Sequence, residues 1–272
     1  HSRETPPPDE MLDQMRQSGV GAVYLFYGQF QMPLEPWAIG DLVSTLAEAR
    51  VPLFLCPTIT FETDRIDATD WPAVVRLCHE YPTLPVVVTE SRIYLSQRVM
   101  YEALEACPNL KVDLASLWLH KRIEYICKQW GAGRLLWSSR LPMRTPAASI
   151  MQLDFADIGE DELAAIAGGN MRQMLSWNPG IRFAEEVAFP EPVDDLHRAA
   201  RERLSLRDEG FHDCHGHIGW CSRRHVIQDR PEDVVAEMDR LGISSCCVFS
   251  FVGTDEVYGN DTAAEMVRRY PD

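Results

Sequence analysis

The chain has 272 residues, 46% hydrophobic and 25% charged, the make-up of an ordinary globular protein rather than a disordered or fibrous one. Its 26 Lys and Arg stand against 41 Asp and Glu; a net charge of −15 repels polyanions, which argues against nucleic acid or an anionic membrane as partner and leaves a small-molecule substrate. No run reaches the ~18 apolar residues of a membrane span, and the length suits one α/β barrel of about 250 residues or two smaller domains.

In chain order, a Pro-rich start (Pro6 to Pro8) leads to an apolar run at Val20–Tyr27 and then to Trp37–Arg50, where Leu42, Val43, Leu46 and Ala49 keep helical spacing. The alternation continues with strand Pro52–Cys56, helix Trp71–Tyr81, strand Leu84–Thr89, helix Leu95–Ala106, strand Leu110–Ala115, helix Leu117–Trp130, strand Arg134–Ser138 and helix Gly159–Leu175. Short, nearly all-apolar strands alternating with helices predict a parallel sheet buried on both faces. Residues 178–208, with Pro179, Pro190, Pro192 and the charged stretch Asp194–Glu209, read as a linker carrying one surface helix. Beyond it come strand Gly210–His215, helix Pro231–Leu241, strand Ile243–Phe251 and helix Asp261–Tyr270. Pro231 suits a first helical turn, and Glu232 and Asp233 favour the dipole there.

The stretch Phe211-His212-Asp213-Cys214-His215-Gly216-His217-Ile218-Gly219 carries the most chemistry. Strand side chains alternate, so His215 and His217 share a face, and two neutral imidazoles held together form half of a typical divalent-metal site. The plainer alternative is a strand pair satisfied by backbone carbonyls or solvent. His212 has the opposite parity and is expected to face away. His79, His120 and His197 fall in helical segments and read as surface or packing residues.

Asp213-Cys214-His215-Gly216-His217 before a βα unit resembles the first strand of the metal-dependent amidohydrolases, in the amidohydrolase-related branch of hydrolases, hydratases and nonoxidative decarboxylases. Gly133-Arg134-Leu135-Leu136-Trp137-Ser138-Ser139-Arg140-Leu141-Pro142, followed by Gly169-Asn170-Met171-Arg172-Gln173-Met174-Leu175, resembles that family's closing strand and last helix, which usually read Gly-Ser-Asp-x-Pro and Gly-Asn-x-x-Arg-Leu-Leu. The resemblance implies a (β/α)8 TIM-barrel type of fold present as partial barrels. Residues 1–177 hold the C-terminal part of one degenerate repeat, with strands four to eight over 18–177. Residues 178–208 are a linker, and 209–272 hold strands one and two of a second repeat. This order reads as a tandem protein cut at both ends, with tandem or oligomeric packing of barrels; a permuted single barrel would need eight strands where seven can be counted.

In that family the first-strand pair is joined by a His after strand five, often another after strand six, and an Asp at the end of strand eight. Here the corresponding places read Cys56, Glu90 and Arg140. A permanent cation repels a divalent ion and cannot act as a base, so the first repeat is not expected to be a catalytic metal site. Glu90 is a weak candidate ligand, read more simply as a rim carboxylate paired with Arg92 or Arg140, and Cys56 as a buried thiol.

What the resemblance implies for the parent protein is a metal-dependent hydrolase, whose water is activated by Zn²⁺ or a similar ion on His215 and His217 and attacks a carbonyl, or a related decarboxylase. Two ligands are fewer than a catalytic site needs, so this stretch alone is expected to be inactive. The alternative is a non-catalytic barrel module that binds a small ligand or a partner domain. The loop Trp220–Arg230 offers Arg223, Arg224 and His225 to an anionic group, though a solvated loop explains them as well. Eight cysteines without a Cys-x-x-Cys pair read as reduced thiols in a cytoplasmic protein, and Cys221 lacks an activating partner. There is no Gly-x-Ser-x-Gly and no P-loop.

Overall fold

The apolar runs of the first segment pair edge to edge: β1 (Val23–Leu25), β2 (Leu53–Leu55), β3 (Val86–Val88), β4 (Leu110–Asp113) and β5 (Leu135–Leu136) form one five-stranded parallel sheet in that order. The computed structural model describes residues 6–57, 69–89, 91, 93, 96–117, 119–141, 144–183, 191–202, 204–205, 207–219, 227–228, 230–250 and 256–271. The chain divides into two compact units, His1–Trp118 with Arg122–Val187, and Leu119–Lys121 with Ala188–Asp272.

In the first unit, Leu25, Leu55, Val88 and Val112 stand abreast across four strands. They share the main core with residues of the crossover helices α2 (Pro36–Ala49), α3 (Trp71–Glu80), α4 (Gln97–Ala106) and α5 (Arg122–Trp130). The alternate residues Phe54, Val87 and Leu136 meet Met174 in a second cluster, and Tyr24 stacks on Phe54 with ring centroids 4.5 Å apart. Both faces of the sheet are therefore covered, which is why its strands are almost wholly apolar. The barrel is not closed among the described residues; the sheet runs from β1 to β5 and stops.

Several helices depart from the periodicity. The helix expected over Leu117–Trp130 begins only at Arg122, because the Asp113 carboxylate accepts the Ser116 N–H and draws residues 114–116 into a 3₁₀ turn, with Leu117 extended after it. The helix expected over Gly159–Leu175 is broken: α7 (Glu160–Ala164) passes through a π turn at Ala165–Gly169 into α8 (Asn170–Met174). Two helices escaped the reading, α1 (Pro8–Ser18) and α6 (Pro146–Asp154). Each opens on a proline, which sequence reading takes for a breaker although a first turn tolerates it. Asn170 Nδ2 donates to the carbonyls of Ala132 and Leu135, both at 2.8 Å, and pins the broken helix to the start of β5.

The second unit contains α9 (Asp195–Arg201), β6 (Phe211–Ile218), α10 (Pro231–Leu241), β7 (Ile243–Ser250) and α11 (Glu256–Arg269), with β6 and β7 paired in parallel. Pro231 opens α10 and Gly242 closes it in the left-handed conformation at φ 84°. The register of β6 on β7 slips between Phe211 and His212 and again between Asp213 and Gly216. Gly216 is required there, since a Cβ would fall 2.3 Å from Cys246 Sγ. Strand β6 extends to Ile218, further than the run ending at His215, and so takes in both members of the His-x-His pair.

Candidate functional site

Two places bear on function, one in each unit. In the first, strand alternation brings Thr89, Asp113 and Ser138 to the C-terminal ends of β3, β4 and β5, the end at which (β/α)8 enzymes carry their chemistry. Asp113 is buried, and its Oδ2 accepts from Ser138 Oγ at 2.7 Å and Thr89 Oγ1 at 2.9 Å while Oδ1 accepts the Ser116 N–H at 3.2 Å. Ser138 Oγ in turn accepts the Ala115 N–H at 3.0 Å. The carboxylate is thus spent on internal partners. Cys56 is buried at the end of β2, and Arg140 holds a left-handed φ of 55° in the turn after β5. Tyr27, after β1, accepts the Asp70 N–H at 3.3 Å, and burial pushes its phenol up to about 12.

Asp113 was not singled out by the sequence. The signal that could have found it is a carboxylate closing the apolar run Leu110–Ala115, with hydroxyls at the same height on the strands to either side. Glu90 and Arg92 lie outside the described residues, as do Cys221 and Arg223, Arg224 and His225 of the loop after β6. Among the described residues of this rim, Asp113 is tied up, Cys56 is buried and Arg140 carries a cation. Among the described residues no group of three His, Cys, Asp or Glu side chains is placed to hold one.

In the second unit His215 and His217 come together as strand parity requires, with ring centroids 5.1 Å apart and planes at 84°. Phe249 of β7 lies against both, 5.0 Å from His215 and 4.1 Å from His217. Burial, and then the neighbouring His215, lower the pKa of His217, which favours the neutral imidazole a metal requires. Asp213 Oδ1 accepts the His215 N–H at 2.9 Å and holds the strand at its irregular step. The pair supplies two imidazole donors, half of a coordination set. His212 is engaged elsewhere, its Nδ1 2.7 Å from Ser245 Oγ. His79 Nε2 lies 3.1 Å from the Ala106 carbonyl and His197 Nδ1 accepts the Val193 N–H, as packing and surface residues do. The seven cysteines among the described residues are free thiols.

The family model for amidohydrolases matches residues 5–177, well over half of the chain. The chain belongs to the amidohydrolase family. The matched segment ends before His215 and His217, so the family assignment rests on the first unit. No curated protein matches the chain. Among solved structures this amidohydrolase is similar to an uncharacterised TIM-barrel protein from Bordetella bronchiseptica, at 18% identity and a TM-score of 0.51 over 64% of this chain and 65% of that one. It is also similar to a putative 2-pyrone-4,6-dicarboxylic acid hydrolase from Pseudomonas putida (19% identity, TM-score 0.48, 65% of this chain and 70% of that one). A dihydroxybenzoic acid decarboxylase from Polaromonas sp. JS666, solved with bound manganese and 2-nitroresorcinol, matches at 14% identity and a TM-score of 0.42 over 65% of this chain and 67% of that one. The chain spans about two thirds of the length of these structures. The first of these likenesses identifies the five-stranded unit as TIM-barrel in type.

Proposed function

We propose that this chain is part of a metal-dependent hydrolase of the amidohydrolase type, or a related decarboxylase, acting on a small molecule in the cytoplasm. In this reading residues 1–177 are the C-terminal part of one barrel repeat that carries no metal, 178–208 form a linker, and 209–272 begin a second repeat in which His215 and His217 hold the ion. A divalent ion there, zinc in this reading, supplies Lewis acidity to polarise a carbonyl or assist decarboxylation.

The observation that carries the proposal is the pair of imidazoles 5.1 Å apart on one face of β6. Phe249 packs against both rings, and burial, then His215, lowers the His217 pKa in the direction that favours the neutral imidazole. The free cysteines support a reducing compartment, and the net charge of −15 supports a substrate other than a polyanion. Among the described residues no helix is long and apolar enough to cross a membrane. The test is equilibrium dialysis against Zn²⁺ with elemental analysis, on the chain beside its His215→Ala/His217→Ala variant. Zinc bound by the chain, saturating only at high concentration because two imidazoles are half of a coordination set, and absent from the variant, is the expected result. Equal zinc on both, or none on either, would overturn the assignment.

The occupied Asp113 carboxylate and the cation Arg140 favour a second reading for residues 1–177, a barrel module that binds a ligand or partner domain without turning it over. The chain alone is then expected to show no hydrolase or decarboxylase activity.

A further inference from the structure

At the end of the five-stranded sheet opposite Asp113, where the chain enters β2, β3 and β4, lies a cavity of about 480 Å³. Lys111 reaches it from the sheet. Its place on β4, level with Val87 on β3, puts the side chain on the face closed by Met174, and Nζ donates to the Gly133 carbonyl. An ammonium has three donors, and the structure gives this one a single acceptor. The neighbouring cation, Arg134, donates from its two terminal nitrogens to the carbonyls of Leu104, Cys107 and Pro108. Burial, and then Arg134, lower the Lys111 pKa. No ion pair among the described residues involves Lys111, Arg134 or Arg50.

The walls of the cavity sort by chemistry. Arg50 adds a second cation at the exposed edge, opposed by one exposed carboxylate, Glu48. The Asn109 Nδ2 is engaged, donating to the carbonyls of Cys78, Tyr81 and Leu84, and so offers no donor to the cavity. Met174 and the half-buried Trp177 supply an apolar surface; the indole N–H points away, to the Gly21 carbonyl at 2.8 Å. A desolvated cation with donors to spare, a second cation at the mouth and an aromatic wall match one class of ligand. On a chain of net charge −15 this local positive charge also stands apart from its surroundings.

We propose that this cavity binds a small organic oxyanion, a carboxylate or phosphate ester, anchored by Lys111, held at the mouth by Arg50 and packed against Trp177. The site lies at the N-terminal end of the strands, away from the end where barrel enzymes carry their chemistry, and depends in no way on His215 and His217.

The test is isothermal titration calorimetry of the whole chain with phenyl phosphate, benzoate and neutral benzyl alcohol. Saturable binding of one or both anions, with none of the alcohol, is expected, and the tighter anion identifies the headgroup. Lys111→Met should weaken it by at least about tenfold, the scale of one charge-assisted hydrogen bond. Arg50→Gly should weaken it less while keeping the fold, because Arg50 caps α2 at a left-handed φ of 56°, which glycine adopts freely. Absence of saturable anion binding, or unchanged affinity in Lys111→Met, would overturn the proposal. Should Lys111→Met not fold, acylation of the unmodified chain, read at the Lys111 peptide by mass spectrometry, decides: protection by saturating anion supports the site and undiminished labelling refutes it.

Discussion

Ser138 Oγ donates a 2.7 Å hydrogen bond to Asp113 Oδ2 and so ties the C-terminal end of β5 to that of β4. The same oxygen receives Thr89 from β3, and three adjacent strand ends are thereby gathered on one carboxylate.

Removing that carboxylate strands two hydroxyls and the Ser116 N–H in a buried place. Asp113→Ala is expected to cost about 2–3 kcal/mol, the penalty of unmatched buried polar groups. Asp113→Asn, which keeps one acceptor, should cost less. Urea unfolding followed by circular dichroism gives both values, and equal stability of all three chains would refute the hub.

Asn170 offers a different kind of test because its partners are both carbonyls. Asn170→Asp keeps the shape but sets an anion against the oxygens of Ala132 and Leu135. A loss of about 3 kcal/mol is expected, as for a buried charge without a donor, and the same unfolding measurement reads it.

Space between β6 and β7 can be probed by complementary changes. Gly216→Ala places a methyl 2.3 Å from Cys246 Sγ and should destabilise the second unit by about 1–3 kcal/mol. Cys246→Ala in the same chain removes the obstructing sulfur and should restore most of the loss. A double variant no more stable than Gly216→Ala would show that the obstruction lies elsewhere.

Lys111 has a signature in alkali. Its folded pKa is lowered by burial and by Arg134, so between that value and the unfolded value of about 10.4 the unfolded chain binds the extra proton. Stability of the natural chain relative to Lys111→Met must therefore rise with pH through that window, and below it the full cost of the buried charge is present. Lys111→Met should be the more stable chain at neutral pH, with the gap closing only as the pH passes the unfolded value of about 10.4. Tyr27, raised to about 12, acts in the opposite sense but is common to both chains and cancels.

The parallel sheet was legible because apolar runs such as Leu53–Leu55 and Val86–Val88 admit little else between amphipathic helices. Boundaries were lost where one side chain outweighs periodicity: Asp113 capturing Ser116, or the Gly168–Gly169 step letting a helix widen into a π turn. Of the candidate sites, the His-x-His pair could be seen since a period of two is local. The Asp113 cluster could not, as it assembles residues 89, 113 and 138, whose proximity depends on the register of three strands. Lys111 was hidden for a related reason: a lone lysine in a strand reads as solvated until the face it occupies is known.

The sheet of the first unit ends on β1 and β5, strands of three and two residues, whereas β6 and β7 run for eight each. An unpaired row of backbone groups is a template for another molecule in proportion to its length. The short margins of the first unit offer an incoming strand very few bonds, and they protect it against fibrous growth. The longer β6 and β7 present more backbone groups to a further strand than β1 and β5 do.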